Sequence, residues 1–428
     1  MSPTEPAHAV RWPVPADDGT SHRRESLVLA DTVTAFDPTA VDVRRDPYPS
    51  YHWLLRHDPV HRGAHQVWYV SRFADVRAVL GDQRFARTGI RRFWTDLVGP
   101  GLLSQIVGDI ILFQDEPDHG RLRGVVGPAF SPSALRRLEP TIEATVNDLL
   151  RPARALGAMD VVADLAYPLA LRAVLELLGL PAGDANAVGR WSRAVGRTLD
   201  RGATAEDMRR GHAAIAEFAD YVERALAERR EDGADLLALM LAAHRSQLMS
   251  RNEIVSTVVT FIFTGHETVA SQLGNGLLSL LDHPEQLELV RRQPHLVPQA
   301  VEECLRFDPA VQSNTRQLAA DVELHGRRLR RDDVVVVLAG AANRDPGRYD
   351  RPDELDIRRD PVPSMSFGAG MRYCLGSYLA RLQLRTALGA MVALPDLRLV
   401  CNPNELAYQP RTMFRGLTRL PVAFTPAG

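Results

Sequence analysis

Residues Phe367-Gly368-Ala369-Gly370-Met371-Arg372-Tyr373-Cys374-Leu375-Gly376 place one cysteine at the end of a glycine-rich turn, directly ahead of an apolar helical stretch. A sulfur at a helix N-terminus is favoured as thiolate by the dipole. Gly368 and Gly370 allow a tight turn and close backbone approach to a flat ligand. Arg372 adds a permanent cation two residues before the sulfur. This combination suits a proximal cysteine ligand to haem iron, which favours O–O cleavage. A dinucleotide loop is excluded because Tyr373 occupies the third glycine position of that fingerprint.

A second group, Thr264-Gly265-His266-Glu267-Thr268, lies midway along a long helical pattern. A carboxylate is costly to bury, so an acid beside an alcohol there needs a reason. Thr268 can also bond back to the carbonyl of residue 264 and bend the helix. A zinc-protease reading of His266-Glu267 fails, because Ala270 stands where the second histidine belongs. Glu303 and Arg306, three apart, share a helix face, and so do His119 and Arg123, four apart.

These segments together resemble the cytochromes P-450. The cysteine loop matches every fixed position of that family's Phe-Gly-x-Gly-x-(His/Arg)-x-Cys-x-Gly pattern. The resemblance implies a mainly α fold with small β-sheets, the cytochrome P-450 fold, and haem b (iron protoporphyrin IX) with Cys374 as the iron ligand. It implies an oxygen-activation pair, Glu267 and Thr268, that handles protons during dioxygen cleavage. It implies that Gly265, Phe367, Gly368 and Gly376 contact the cofactor and that His119, Arg123, Arg316 and Arg372 serve its propionates. Glu303, Arg306 and Arg359 become a structural triad bracing the coil behind the haem. The family has Ala or Gly where this chain has Thr264, and an aromatic where it has Leu355. Substrate contacts are expected from Thr264, Gln312, Ser313, Asn314 and Phe414, with segments 85–108, 180–205 and 259–263 around the same pocket.

The implied activity is monooxygenation of a small organic substrate, by hydroxylation or oxidative coupling, in specialised natural-product biosynthesis. An aromatic cyclic dipeptide is one candidate. The alternatives are a peroxide-using peroxygenase, against which the acid–alcohol pair speaks, and a non-catalytic haem-thiolate sensor. Flavin and iron–sulfur segments are missing from the sequence, so a separate ferredoxin and its reductase are the expected electron donors. Arg121, Arg136 and Arg137 are candidates for docking them.

The elements that must hold these groups follow from periodicity. Residues 1–35 read as an extended arm and 36–428 as one haem domain. A short helix runs from Pro47 to Leu55, followed by strands near Val60 and Trp68–Val70. Helical spacing dominates from Phe73 to about Arg245. Ser250-Arg251-Asn252-Glu253 is a capping-box signature launching a helix to about Leu281. Val322–Leu324 and Val334–Leu338 read as two strands of a hairpin whose tip carries Arg327, Arg328, Arg330 and Arg331. A helix from Leu375 to about Leu394 follows the cysteine.

Composition narrows the class. The chain has 428 residues and a formal charge of −2, and all 51 basic residues are arginine. No nucleic-acid partner is expected. The three cysteines, Cys304, Cys374 and Cys401, are too sparse for a disulfide framework and suit a reducing compartment. No apolar signal core is present and no apolar run approaches a membrane span. A soluble cytoplasmic protein without membrane contact is expected.

Overall fold

The computed structural model describes residues 36–426 except 64–65, 201–202, 230–232, 234 and 361–362. The expected N-terminal arm, residues 1–35, lies outside the described residues. The centre of the molecule is the helix Arg251–Leu281. Its first turn closes on a capping box: Glu253 N donates to Ser250 Oγ at 3.2 Å, and Ser250 N donates to Glu253 Oε2 at 2.7 Å. The helix is long and apolar enough to cross a membrane by composition, yet 72% of its most apolar window is buried inside the protein. An all-round apolar helix of this kind is the interior of a large helical core. Helices Tyr167–Leu178, Ala185–Thr198, Ala205–Ala227 and Ser377–Val392 pack around it. Gly265 allows one of these approaches, since a Cβ there would lie 2.6 Å from Val174 Cγ2.

Five strands form a side sheet in the order Val60–Arg62, Trp68–Val70, Val334–Leu338, Ser313–Leu318, Phe85–Ala86. Trp68–Val70 and Val334–Leu338 run parallel and the other pairs antiparallel. The expected 322–338 hairpin is therefore corrected. Val322–Leu324 pairs with Arg327–Leu329 as a separate two-stranded unit, while Val334–Leu338 joins the larger sheet. The Val334–Leu338 run is buried on both faces, which a hairpin edge cannot provide, so it takes an interior place between two strands. Arg327 and Arg328 lie in the small unit, paired with Asp58 and Asp321.

Glu303 and Arg306 are almost fully buried on the helix Val297–Phe307. Arg306 uses all five N–H donors. Nε and Nη2 grip both oxygens of Glu303 at 2.8 and 2.7 Å, and the others reach the carbonyls of Asn343, Pro352 and Glu354. Arg359 Nε adds a bond to Glu303 Oε1 at 3.2 Å. The coil before the cysteine loop is thus wound around one guanidinium. Asn343 carries the connection onward: its Oδ1 accepts from Met365 N at 2.7 Å and its Nδ2 meets Ser366 Oγ at 2.9 Å. Removing Arg306 strands the buried Glu303 Oε2 and three carbonyls. Arg306→Ala is expected to cost about 3–5 kcal/mol, read as a fall in denaturation midpoint with loss of bound cofactor; a midpoint within error of the parent would contradict this bracing role.

Candidate active site

One cavity of about 1290 Å³ opens between the long helix and the cysteine loop. Phe367, Gly368, Arg372, Cys374 and Gly376 line one wall, and Thr264, Gly265 and Thr268 line the opposite one. His119, Arg123 and Arg316 stand at its flank, and Ser313, Asn314 and Phe414 above.

The loop geometry follows from its glycines. Gly368 and Gly370 have φ of +72° and +70°, the left-handed region that only glycine enters cheaply. Cys374 N donates to Phe367 O at 2.9 Å, closing the loop, and Ser377 starts the following helix three residues on. Cys374 is solvent-accessible on its cavity side. The surrounding protein nevertheless pushes its thiol up by desolvation, and the Gly376 backbone N–H, Arg123 and Arg381 pull it down only in part. A metal ion deprotonates such a thiol outright. Cys304 is different: it is buried outside the cavity, donates weakly to Gly276 O at 3.6 Å, and has its thiol pushed far up by burial. Cys374 is the cysteine placed to meet a ligand.

The flank is rich in cations. Arg372 donates to Asp115 at 2.8 Å, Arg123 to the carbonyl of Tyr373 at 2.7 Å, and Arg316 to the carbonyl of Thr315 at 3.0 Å. Burial first, then repulsion by Arg372, lowers Arg316 to about 10. His119 is held below its ordinary range, chiefly by burial, and its Nδ1 faces Glu116 at 3.1 Å. Arg87, which no motif singled out, also lines this flank, and its buried Nε has no partner. A buried orphan guanidinium among like charges calls for an anion. Over Gly368 and Gly376 an added Cβ would meet nothing within 4 Å. A flat dianionic cofactor with a thiolate-seeking metal, haem b, fits this cradle.

The opposite wall carries a ladder of hydroxyls. Thr268 Oγ1 donates to Thr264 O at 2.8 Å, Thr264 Oγ1 to Thr260 O at 2.7 Å, and Thr260 Oγ1 to Ser256 O at 2.7 Å. Each Thr thus keeps its proton on the helix and offers only lone pairs to the cavity. This limits Thr264 to accepting from a substrate or water.

Glu267 does not line the cavity. Its carboxylate turns into a buried cluster behind it. Tyr167 Oη donates to Oε2 at 2.9 Å, Gln409 Nε2 donates to Tyr167 Oη at 2.9 Å, and Arg411 lies 3.5 Å from Oε2. His266 Nδ1 donates to Ile262 O at 2.6 Å, leaving Nε2 at 3.5 Å from Oε1. Burial pushes Glu267 up, but His266, then Arg411 and Tyr167, outweigh it and hold the carboxyl at about 2. Arg411 does line the cavity, so it separates the acid from the chamber.

Gln312 is corrected as a cavity contact. Its amide is spent inside the protein, accepting from Tyr51 Oη at 3.1 Å and donating to Pro309 O at 2.8 Å. Its backbone N–H donates to Met413 O at 2.9 Å. Arg121 is corrected as a docking cation: it clamps Glu253 at 2.6 Å and Asp118 at 2.9 Å, tying the helix Asp118–Val126 to the long helix. Arg136 and Arg137 remain exposed. Tyr167, Arg411 and Asn343 escape sequence reading, and Arg87 enters it only as part of the segment 85–108. None sits in a motif, and each acquires meaning only from a partner far away in the chain.

The Cytochrome P450 family profile matches residues 197–399. The Biotin biosynthesis cytochrome P450 of Bacillus subtilis (strain 168) is 33% identical over 386 residues, covering 89% of this chain and 96% of that protein. Cytochrome P450 monooxygenase PikC of Streptomyces venezuelae is 33% identical over 393 residues, covering 89% and 92%. The crystal structure of CalO2 superposes with a TM-score of 0.91 at 84% identity, covering 92% of this chain and all of that one. With the thiolate loop, the cation-lined cradle and the hydroxyl-bearing helix in one cavity, these likenesses settle the class: the chain belongs to the cytochrome P450 family of haem b monooxygenases.

Proposed function

We propose that residues 36–428 form a single haem domain that oxidises an aromatic-bearing intermediate of specialised natural-product biosynthesis in the cytoplasm, by hydroxylation or oxidative coupling. The observation that carries this reading is that Cys374 of the glycine-rich loop and Thr268 of the long helix line one cavity. Cys374 Sγ would hold the haem iron, with Phe367, Gly368 and Gly376 along the same face and Arg123, Arg316 and Arg372 toward its carboxylates. Haem b, when bound, supplies activation of molecular oxygen. The residues supply position and protons. Phe93, Trp94, Phe263 and Phe414 give the chamber aromatic walls, and Asn314 and Thr412 give it polar points. Such a chamber orients an aromatic substrate by a few polar contacts on an apolar surface. Aromatic cyclic dipeptides are the first candidates.

Titration of the ferric protein with these compounds is expected to give a saturable low-spin to high-spin change. Cys374→Ala is expected to abolish both this response and the thiolate-type carbon monoxide spectrum, while Cys304→Ala keeps them. A thiolate spectrum surviving Cys374→Ala would overturn the ligand assignment, and silence across the dipeptide panel would overturn the substrate class alone.

Thr268 Oγ1 and Glu267 are proposed to serve proton delivery. Glu267 starts ionised, so it must first take a proton from water, while Tyr167 Oη, itself held by Gln409, fixes its Oε2. A swing of the carboxyl past Arg411 would then present that proton to the Thr268 side. Glu267→Gln is expected to lower product formation by about 10²-fold, and Thr268→Ala to divert reducing equivalents to peroxide. The sign of the acid effect is fixed by the lowered pKa. Ionised Glu267 contributes stability above its ordinary value near 4.5, lost as pH falls toward about 2. Acid unfolding of Glu267→Gln should therefore be less steep than the parent's across that window; equal steepness would show that the carboxyl is not held ionised.

A separate ferredoxin with its reductase is proposed as donor. Arg136 and Arg137 lie just ahead of the helix Glu139–Leu156, which packs on the cysteine helix Ser377–Val392. The double change Arg136→Gln/Arg137→Gln is expected to slow reduction several-fold at low salt and to flatten its salt dependence. A reduction rate and salt slope unchanged from the parent would place the docking surface elsewhere.

A further inference from the structure

The cofactor cradle holds one guanidinium more than the family pattern accounts for. Arg87 follows the edge strand Phe85–Ala86 and begins the helix Thr88–Val98. Its backbone is pinned: Arg87 N donates to Asp115 Oδ2 at 2.9 Å, and Thr88 N and Oγ1 donate to the same oxygen at 2.8 and 2.6 Å. Arg372 takes the other oxygen of Asp115 at 2.8 Å. One carboxylate thus organises both arginines, but its acceptors are spent on Arg372 and on backbone and hydroxyl donors. Arg87 is 9% exposed, lines the cavity, and keeps Nε unbonded.

Charge counting tells what is missing. Arg87, Arg123, Arg316 and Arg372 border this flank, against Asp115 and Glu116, with His119 held toward neutrality. Four guanidiniums against two carboxylates leave an excess of two positive charges. Haem b carries two propionate carboxylates. Without Arg87 the loaded flank would be short of a cation; with it, the charges close. Burial, then repulsion from Arg316 and Arg372, holds Arg87 well below its ordinary range, and a carboxylate placed beside it would favour its charged form.

We propose that Arg87 is a further propionate-binding residue, making charge-assisted hydrogen bonds to the cofactor beside Arg316 and Arg372. The proposal rests on haem occupying this cavity, which the Cys374→Ala spectrum tests separately. A carboxylate on the substrate could offer the same chemistry, so the experiment separates the two sources.

Haem release from the holoenzyme to excess apomyoglobin is measured for the parent, Arg87→Gln, Arg87→Lys and Arg292→Gln. Arg292 ends the helix Pro284–Arg292, away from the cavity lining, with a side chain 75% exposed. Arg87→Gln is expected to release haem about tenfold faster, the scale of one charge-assisted bond. Arg87→Lys should restore part of the loss by keeping the charge, and Arg292→Gln should match the parent. The haem midpoint potential supplies the second readout: removing a nearby cation favours the ferric state, so Arg87→Gln should shift it negative. Faster release with an unchanged potential would assign Arg87 to packing and overturn the proposal. Parent-like release combined with weakened binding of a carboxylate-bearing substrate would overturn it in favour of the substrate. Should Arg87→Gln fail to fold, the Lys variant decides: a parent-like potential and release no more than a few-fold faster support the charge role, whereas a potential as shifted as that of Arg316→Gln overturns it.

Discussion

One buried guanidinium sets the geometry on which the site depends. Arg306 is 3% exposed and has every donor committed, two to Glu303 and three to carbonyls of the coil between Asn343 and Glu354. A charge taken so far from water is tolerated only when paired and fully hydrogen-bonded. The coil therefore cannot wander, because any shift would leave an N–H without a partner. It hands this precision to the cysteine loop through Asn343, whose amide holds Met365 and Ser366 immediately before Phe367. The position of Cys374 is thus inherited from a helix seventy residues earlier in the chain.

The opposite wall solves a different problem. A long helix facing a chamber must offer polar groups without losing its own backbone bonds. The threonines at 260, 264 and 268 do so by donating back one turn, which leaves acceptors toward the cavity and the helix ladder intact. Glu267 is treated otherwise, turned out of the chamber and held ionised by His266, Arg411 and Tyr167. Its acidity is stored behind Arg411, and Arg411 belongs to the same C-terminal segment as Thr412, Met413 and Phe414 of the chamber wall. The route by which a proton reaches the cavity and the surface a substrate touches are therefore joined in one loop.

Sequence alone made the chemistry legible where it is carried by contiguous residues. The cysteine loop, the capping box at Ser250 and the Glu303–Arg306 pair are local statements, and spacing is enough to read them. Gln312, Glu267 and the 322–338 strands show where this stops. Which way Gln312 faces is decided by Tyr51 and Pro309, and which strand Val334–Leu338 joins is decided by Trp68–Val70 and Ser313–Leu318. Glu267 was found as an acid but not as one turned away, since Tyr167 and Arg411 lie 100 and 144 positions distant. In a chain whose 51 basic residues are all arginine, no single arginine announces itself, and Arg87 stands out only by what it lacks.

The two walls consequently differ in electrostatic completeness. Around Glu267 the carboxylate already has Arg411 at 3.5 Å and the Tyr167 hydroxyl at 2.9 Å on Oε2, while its Oε1, 3.5 Å from His266 Nε2, has no hydrogen bond. Around Arg87, Arg316 and Arg372 the protein holds like charges together in a poorly solvated space with few carboxylates, which lowers the pKa of each. A ligand that binds only the folded chain and brings the missing negative charge adds stability. The cradle is therefore built for an occupant rather than merely able to admit one. The same excess of guanidiniums favours a dianion over a neutral or cationic molecule of similar shape.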